Sequence, residues 1–255
     1  MISLLARLLP PSAPPPLVHI THAKAGSTWV DKILRELHGP HVAPRMGQPP
    51  ERFDFSRHRI FPALFITREK YLTYPELLGV HRFVVIRDLR DTLVSQYFSV
   101  RDTHKLDAEG LIAKGREILC ACSKEDGLAY LMDGVLHEHA AIQQSWLGAE
   151  VVLFRYEELL RDDLAIFRRL LLETFGHQLT ATQVERAVVS CRFEKLFQRK
   201  LGEEDPASHG RKGAPGDWRN HFTPALARRF HEKFGSLLIG TGYERDDSWT
   251  RDLPG

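Results

Sequence analysis

Short apolar runs alternate along this chain with segments of helical periodicity, and this alternation limits the fold more than any other feature. The runs lie at residues 17–21, 64–67, 82–86 and 151–154, and the helical segments at 26–37, from near Asp88 or Asp91 onward, and at 127–147, 163–175, 180–190 and 223–235. Strands that are apolar on both sides are typical of parallel sheets covered by helices on both faces. We therefore predict a three-layer α/β fold, with ligands bound at the carboxyl ends of the strands.

The N-terminal residues 1–16 differ from the rest of the chain because they are rich in proline. Arg7 interrupts their apolar run, and Pro10 and Pro11 end it well short of the roughly 20 residues that a membrane span needs. Charge inside the run is also unlike a secretory signal. We predict an extended lead-in over 1–16 and one domain over 17–255, since a chain of 255 residues suits a single core.

Charge and cysteine content narrow the partners and the compartment. The formal net charge is +2, which supports neither a nucleic-acid partner nor a membrane surface. Cys120, Cys122 and Cys191 are too few and too irregularly spaced for a disulfide framework, and they form no zinc-ligand pattern. We therefore expect buried free thiols in a cytoplasmic protein without a membrane span.

The strand at 17–21 runs directly into the sequence HAKAGSTW, which opens the next helix. Helix N-termini attract anions because their first N–H groups are free and carry partial positive charge. Gly26 permits close approach of the backbone, and Lys24 adds a full charge. The hydroxyls of Ser27 and Thr28 add two more donors. The segment predicts a phosphate site, with a plain strand-to-helix turn as the alternative. It is not a Walker A loop, because Lys24 precedes Gly26.

A second basic element begins at Arg87, which follows the strand at 82–86. Its guanidinium presents a rigid fork of donors suited to phosphate. Ser95 lies in the helix that follows and can offer a hydroxyl to the same anion. Pairing of Arg87 with Asp88 or Asp91 at the helix start is an equally good interpretation of this element alone.

The third basic segment is the polar stretch GRKGAPGDWRNHFT at residues 210–223. Its sequence is the most distinctive of the three candidate anion-binding segments. Arg211 and Lys212 supply positive charge, and Gly213 allows the backbone to fold sharply. A flexible surface loop is the simplest alternative, but it has no need for the large aromatic side chain of Trp218. We interpret the stretch as a loop that closes over an anion.

These segments resemble, in the same order, elements of the cytosolic-type sulfotransferase family. Residues 21–29, THAKAGSTW, resemble the family's 5′-phosphosulfate loop, T-Y-P-K-[SA]-G-[TS]-T-W, with His22 and Ala23 in place of Tyr-Pro. The family's donor is 3′-phosphoadenosine 5′-phosphosulfate (PAPS). The resemblance implies that its 5′-phosphosulfate end is bound by Lys24, Ala25, Gly26, Ser27, Thr28 and Trp29.

The two other basic elements resemble the parts of the family that bind the 3′-phosphate of the donor. Residues 83–100, FVVIRDLRDTLVSQYFSV, resemble a strand that ends in arginine with a serine eight residues later. Residues 210–223 resemble R-K-G-x-x-G-D-W-[KR]-x-x-F-[ST] almost position for position. The resemblance implies that the 3′-phosphate is bound by Arg87, Ser95, Arg211, Lys212 and Gly213.

Two weaker matches concern the adenine of the donor. Residues 152–160 and 192–196 resemble the family's Y-E-[DE]-[LM] and S-F-x-x-[ML] segments. They imply adenine contacts for Tyr156 and Phe193, either of which could equally be a core residue. Together the matches extend over residues 17–223, most of the chain.

The resemblance implies a P-loop-like fold with a central parallel sheet of about five strands, related to nucleotide kinases. It implies an enzyme that moves a sulfuryl group from PAPS to the hydroxyl or amine of a small acceptor by in-line displacement. Lys24 would then stabilise the charge that builds on the departing 5′-phosphate oxygen. No metal is required, and the sequence contains no metal-ligand cluster. The family's C-terminal dimer signature is not evident, which leaves the oligomeric state open.

This chain departs from the family at the position of the base, the residue that should take the acceptor's proton. The family carries K-T-H-L-P after a strand, and the corresponding stretch here is 65–71, with Ile66 at the lysine position and Arg68 at the histidine position. An arginine cannot serve as a base at neutral pH, so Arg68 is interpreted instead as an anion clamp. The candidates for the base are Glu69, then Glu51 or His58.

Two other functions stay open on the sequence. One is a protein that binds PAPS or its product PAP, adenosine 3′,5′-bisphosphate, but lacks an efficient base. The other is a small-molecule kinase of the same fold class, which would need a Walker lysine and a carboxylate for Mg²⁺. The acceptor pocket is expected from residues 40–80 and 100–125, the segments least like the family.

Overall fold

A computed structural model describes residues 13–45, 47–107, 110–208 and 210–251. Its sheet has four parallel strands in the order β2-β1-β3-β4. The strands are β1 (Leu17–Thr21), β2 (Ile60–Phe65), β3 (His81–Ile86) and β4 (Val152–Arg155). Strands β1, β3 and β4 agree within one residue with three of the predicted apolar runs, whereas β2 begins four residues before the run predicted at 64–67. The parallel sheet flanked by helices confirms the α/β class. Within the described residues the sheet has one strand fewer than the five that the resemblance implied.

The apolar runs are continuous because both faces of the sheet are buried. Leu17 of β1 faces one core with Phe83 of β3, whereas Val18 and Val84 face a second core on the other side. Successive side chains of a strand point to opposite faces, so a strand covered on both sides needs apolar residues at nearly every position. All five residues of β1 are buried. The predicted three-layer arrangement follows from this pattern.

Helices occupy both faces of the sheet and one end of the molecule. Those named by the structure are α1 (Ser27–His38), α2 (Arg68–Tyr71), α3 (Leu89–Phe98), α4 (Leu111–Ala121), α5 (Lys124–Asp133), α6 (Leu136–Trp146), α7 (Tyr156–Arg168), α8 (Ala181–Ser190), α9 (Phe193–Phe197) and α10 (Pro224–Gly240). Helices α1, α7 and α8 share the core of one face, and α6 packs on the other. A third cluster joins α3, α5, α6 and α10 beside the sheet.

Three helical predictions need adjustment. The stretch 127–147 is two helices, since Gly134 ends α5 with a non-helical backbone before α6 begins. Helix α7 begins at Tyr156 but is kinked at Asp162, whose backbone is non-helical, so the helix predicted at 163–175 starts where the second part of α7 starts and continues as a π-helical turn over Arg169–Thr174. Helix α4 was not predicted from the sequence, and most of its residues are exposed.

The N-terminal segment and the three cysteines differ in part from what the sequence predicted. Residues 13–16 precede β1 without regular structure, and the rest of the predicted lead-in, 1–12, lies outside the described residues. In the described ranges no helix is both long and apolar enough to cross a membrane. All three cysteines are free, but only Cys191 is buried, and Cys120 is exposed because it lies on the solvent side of α4.

Candidate functional site

A cavity of about 650 Å³ opens at the carboxyl ends of the strands. Its wall includes the loop that follows β1, Arg87 just after β3, and Tyr156 just after β4. This is the position that the topology of a parallel sheet predicts for a ligand. The cavity therefore unites segments that are far apart in the sequence.

The loop between β1 and α1 is shaped to hold an anion. Lys24 and Gly26 both have positive φ angles, 68° and 78°, which turns the chain sharply into the helix. A Cβ on Gly26 would lie 2.7 Å from the ring of Tyr156, so a glycine is required there. Among the described residues no side chain caps α1, which leaves the N–H groups at the start of the helix, at Ser27 and Thr28, available to a bound group.

Lys24 lies among other positive charges. Burial and the neighbouring guanidinium groups of Arg87, Arg45 and Arg211 lower the pKa of Lys24 to about 7. Four cationic side chains around one cavity repel one another when no anion is present. An anionic ligand would relieve this repulsion and restore the lysine charge, so the electrostatics of the cavity favour a polyanion.

Arg87 is held rigidly at the end of β3. Its Nη1 donates to the carbonyl oxygen of Lys24 at 2.9 Å, and its guanidinium lies 4.8 Å from the ring centre of Tyr156. The Nε of Arg87 and the Nε1 of Trp29 are buried without a partner among the described residues. Both residues line the cavity. Unpaired buried donors of this kind fit an anionic or acceptor-rich ligand.

His22, which departs from the family pattern, ties the loop to the strand ends. Its Nδ1 donates to the carbonyl of Ala23 at 2.8 Å, and its Nε2 accepts from the amide of Gln143 at 2.8 Å. Gln143 also donates to the carbonyl of Arg87 at 2.7 Å. Burial lowers the pKa of His22 to about 3, so it stays neutral. The substitution therefore supports the loop through a buried hydrogen-bond network.

The 210–223 loop brings a second set of cations to the cavity. Asp217 accepts from both Arg211 and Lys212, the latter at 2.5 Å, and so holds the two basic side chains together. Burial alone would raise the pKa of Asp217, but hydrogen bonds from His221 and these cations lower it well below the usual range. Asp91 fixes the loop by accepting from the backbone N–H groups of Gly216 and Trp218.

The side chain of Trp218 attaches the 210–223 loop to the core of the protein. Its side chain is buried, with the guanidinium of Arg90 lying 3.9 Å from its ring centre. Phe222 packs against it in the third core cluster. The aromatic residues therefore anchor the loop while its basic residues face the cavity.

An apolar wall lines the same cavity as the two basic regions. The rings of Phe193 and Phe197 lie 4.8 Å apart and line the cavity. The hydroxyl of Tyr156 donates to the carbonyl of Gly213 at 3.1 Å, which joins this wall to the 210–223 loop. A Cβ on Gly213 would lie 2.7 Å from Phe193, so the loop can approach the ring only through a glycine. A flat aromatic group could stack in this part of the cavity.

The residues predicted to bind a donor converge on this one cavity, with a single exception. Ala25 is fully buried beneath the loop and does not contribute to the described lining. Those that line it are Lys24, Gly26, Ser27, Thr28, Trp29, Arg87, Ser95, Tyr156, Phe193, Arg211, Lys212 and Gly213.

The predicted base and clamp are placed elsewhere. Arg68 and Glu69 begin the short helix α2, are exposed, and do not belong to the described lining of the cavity. Strand β2 ends at Phe65, two residues earlier than predicted, so Phe65 is the residue that reaches the cavity. Of the further candidates, neither Glu51, which is exposed, nor His58 contributes to the lining that the structure describes.

Arg45 and His104 are polar cavity residues that the sequence did not predict. Arg45 donates to the hydroxyls of Thr28 and Ser27, at 2.5 and 2.6 Å. His104 lies on the wall near Lys24 and Arg45, whose charges help to lower its pKa. Arg45 and His104 lie in irregular segments that contain several basic residues. The sequence therefore does not indicate which of these basic residues faces the cavity. Across the described ranges, no group of three or more His, Cys, Asp and Glu side chains is placed to hold a metal ion.

The chain is similar to known proteins over most of its length. A family model described as "Sulfotransferase domain" matches residues 82–242. Human sulfotransferase 1C2 is 24% identical over 260 residues, which cover 89% of this chain and 84% of that protein. Cytosolic sulfotransferase 17 of Arabidopsis thaliana is 29% identical over 264 residues, 88% of this chain and 74% of that protein.

Solved structures agree on the fold. Mouse sulfotransferase SULT7A1, crystallised with PAP, superimposes with a TM-score of 0.63 at 17% identity, over 93% of this chain and 87% of that chain. Retinol dehydratase in a complex with retinol and PAP has a TM-score of 0.55 at 14% identity, over 88% and 81% of the two chains.

Proposed function

This chain belongs to the sulfotransferase family, and we propose that it transfers a sulfuryl group from PAPS to the hydroxyl or amine of a small acceptor by in-line displacement. One observation carries the proposal. Basic residues from the loop after β1 and from the 210–223 loop line the same cavity, together with an aromatic wall. PAPS carries the matching groups, since its ribose bears a 5′-phosphosulfate, a 3′-phosphate and an adenine.

The basic regions divide between the two anionic ends of the donor. Lys24, the hydroxyls of Ser27 and Thr28 and the start of α1 would hold the 5′-phosphosulfate. Tyr156 would contact the adenine, together with Trp29 and Phe193. The 3′-phosphate would be held by Arg87, Ser95, Arg211, Lys212 and Gly213.

The chemistry needs positive charge where the sulfur–oxygen bond breaks. Negative charge develops on the departing 5′-phosphate oxygen, and donors that are fixed beforehand stabilise it without reorganisation. Lys24 is placed in the loop that would hold this oxygen. A charge-assisted hydrogen bond contributes about 1.5–3 kcal/mol. We propose no role for a metal ion, and activity should persist in the presence of a chelator.

Arg45 takes the role that the sequence analysis assigned to Arg68. Its two hydrogen bonds to Ser27 and Thr28 place a guanidinium on the hydroxyls of the 5′-phosphosulfate loop. A planar guanidinium can bind two oxygens of a sulfuryl or phosphoryl group at once. We therefore propose Arg45 as the anion clamp at the transferring group.

A second function is favoured by the placement of the predicted base. Because Glu69 lies outside the described lining of the cavity, a protein that binds PAPS or PAP without efficient transfer fits the same donor site. A transfer assay with labelled PAPS separates the two. The kinase alternative loses support, because Lys24 lies before the glycine and not after it.

The donor site is tested first by calorimetric titration with PAP, with ADP and ATP·Mg²⁺ as controls. We expect binding at about micromolar Kd or tighter, a typical range for a nucleotide held by several charged contacts. Arg211→Ala should lose much of this binding, and Arg229→Ala, on the exposed side of α10, should not. Absence of PAP binding, or a preference for ATP·Mg²⁺, would reject the proposal.

We also propose one domain over residues 17–255 and a cytoplasmic location. The match of the family model and the mutual packing of the three core clusters around one sheet support the single domain. Free cysteines are usual in reducing compartments, and one relative is named a cytosolic enzyme.

A further inference from the structure

We propose that His104 is the base that takes the proton of the acceptor, an inference that rests on the proposed sulfuryl transfer. The family's histidine position is not filled by a base here, since β2 delivers Phe65 to the cavity. His104 reaches the same cavity from a different element, the turn that follows α3. The imidazole of His104 would act in place of the family's histidine, but it comes from a different segment of the chain.

The backbone around His104 is well supported although its side chain is exposed. It follows a π-helical turn, Ser99–Thr103, and its N–H donates to the carbonyl of Ser99 at 2.6 Å. Arg116 of α4 donates to the carbonyls of Val100 and His104, at 3.0 and 2.5 Å. The turn is therefore held from two sides, while the imidazole stays open to an acceptor molecule.

Ser99 can select the tautomer that a base requires. Its Oγ lies 3.3 Å from Nδ1 of His104, and the serine side chain is buried. When Nδ1–H donates to this oxygen, the lone pair of the neutral ring is on Nε2. Nε2 is then the atom that accepts a proton.

The charges that face His104 keep it neutral before the reaction. Partial burial and the cations Lys24, Arg116 and Arg45 lower the pKa of His104, and Asp107 opposes them. A neutral imidazole is the form that can accept a proton. A bound donor would counter these cations with its own negative charge, which allows the imidazolium to form during transfer.

The other titratable groups on the wall are engaged elsewhere. Asp91, Asp163 and Asp217 each accept at least two hydrogen bonds from the protein. Tyr156 already donates its hydroxyl proton to a backbone carbonyl. Glu194 lies on α9, at the apolar wall proposed for adenine. His104 lies where the charges of Lys24 and Arg45 reach it, beside the proposed 5′-phosphosulfate loop, and its neutral imidazole is chemically suited to proton transfer.

The proposed step is a displacement at sulfur that is coupled to proton transfer. The acceptor oxygen forms a bond to sulfur while its proton passes to Nε2 of His104. The bond between sulfur and the 5′-phosphate oxygen breaks, and its electron pair stays on that oxygen, beside Lys24. The products are the sulfated acceptor and PAP, and the imidazolium later releases its proton to water.

The test compares His104→Gln with wild type on two acceptors of different acidity. Phenol has a pKa near ~10, like the tyrosine side chain, and must lose its proton during transfer. 4-Nitrophenol is largely ionised in mildly alkaline buffer and needs no base. We expect turnover to fall about 10²–10⁴-fold with phenol and less than about 10-fold with 4-nitrophenol. Equal losses with both acceptors, or no loss, would overturn the assignment.

Controls separate this inference from the proposed function. His58→Gln removes an imidazole outside the cavity and should leave both rates unchanged. PAP affinity of His104→Gln should stay within about 2-fold of wild type, since the imidazole is not part of the donor site. If wild type fails to bind PAP, the proposed function fails; if wild type transfers and His104→Gln transfers equally, only this inference fails.

Two further measurements apply even if neither phenol is an acceptor. Hydrolysis of PAPS uses water as the acceptor, and we expect it to slow in His104→Gln and not in His58→Gln. Nitrogen NMR of ¹⁵N-histidine protein should show the Nδ1–H tautomer at His104. An Nε2–H tautomer, or unchanged hydrolysis, would contradict the proposal.

Discussion

The donor end and the acceptor end of the cavity are built in different ways. At the proposed donor end, contiguous motifs supply the residues: Lys24 to Thr28 follow β1 directly, and Arg211 to Gly213 belong to the 210–223 loop. At the proposed acceptor end, Phe65 and His104 come from two separated segments, and Arg45, from a third, contacts the hydroxyls of the donor loop. A ligand shared by a family can be bound by contiguous motifs, whereas a pocket for a variable acceptor is assembled from loops.

The two ends also differ in charge. The donor end concentrates Lys24, Arg87 and Arg211, with Asp217 holding the last in place. The acceptor end has one aromatic side chain and one imidazole, and Arg45 lies between the two ends. Substitutions at the donor end should therefore act through charge on every acceptor, and those at the acceptor end should depend on which acceptor is used.

The largest effect at the donor end is expected for Lys24→Ala. We expect turnover to fall about 10²-fold, because the lysine acts mainly on charge that develops in the transition state. Steady-state kinetics with labelled PAPS measures this, and Lys114→Ala on α4 is the control. A loss confined to the KM for PAPS would show that Lys24 acts in donor binding alone.

Arg211→Ala should act on binding instead. We expect the Kd for PAP to rise about 10- to 100-fold, the effect of losing one charge-assisted contact to phosphate. Turnover at saturating PAPS should change much less, since the 3′-phosphate is remote from the breaking bond. Equal effects on turnover and affinity would remove the division of the donor end into two functional parts.

Arg45→Ala tests the boundary between the two ends. We expect kcat/KM to fall about 10-fold, with most of the loss in turnover, because its guanidinium contacts the loop hydroxyls at the transferring group. Arg68→Ala is the matched control and should have no effect. If Arg68→Ala proves the more damaging of the two, the original sequence interpretation of Arg68 is restored.

The smallest effect is the pH dependence of donor binding. The pKa of Lys24 is lowered to about 7 in the protein alone, so the lysine is largely neutral at pH values above this. A bound polyanion favours the charged form, so binding takes up a proton and affinity falls as pH rises, by at most about 10-fold per pH unit. The phosphate groups of PAP are already ionised in this range, since their second pKa is about 6.

Calorimetry in buffers of different ionisation enthalpy measures the proton uptake. Lys24→Met should abolish it, whereas His104→Gln should leave it in place. Uptake that persists in Lys24→Met would assign the proton to another group and weaken the electrostatic account of the donor end.

Much of the fold was predictable because local signals and the tertiary environment agree. The strand at 82–86 is apolar from Phe83 to Ile86, and these four residues pack alternately into two buried cores. The donor loops were predictable for a related reason. Tyr156 and Phe193 approach Gly26 and Gly213 so closely that no larger residue fits at either position. The glycines of the motifs are therefore explained by the packing.

By itself, the sequence determined the α/β class, the position of the ligand at the strand ends and the residues expected to bind the donor. Only the tertiary structure decided which side chains line the proposed acceptor end of the cavity. The end of β2 at Phe65 turns Arg68 and Glu69 out to solvent, and the turn after α3 brings in His104. The physical reason is that irregular segments have no periodicity that fixes side-chain direction, so their contacts depend on long-range packing.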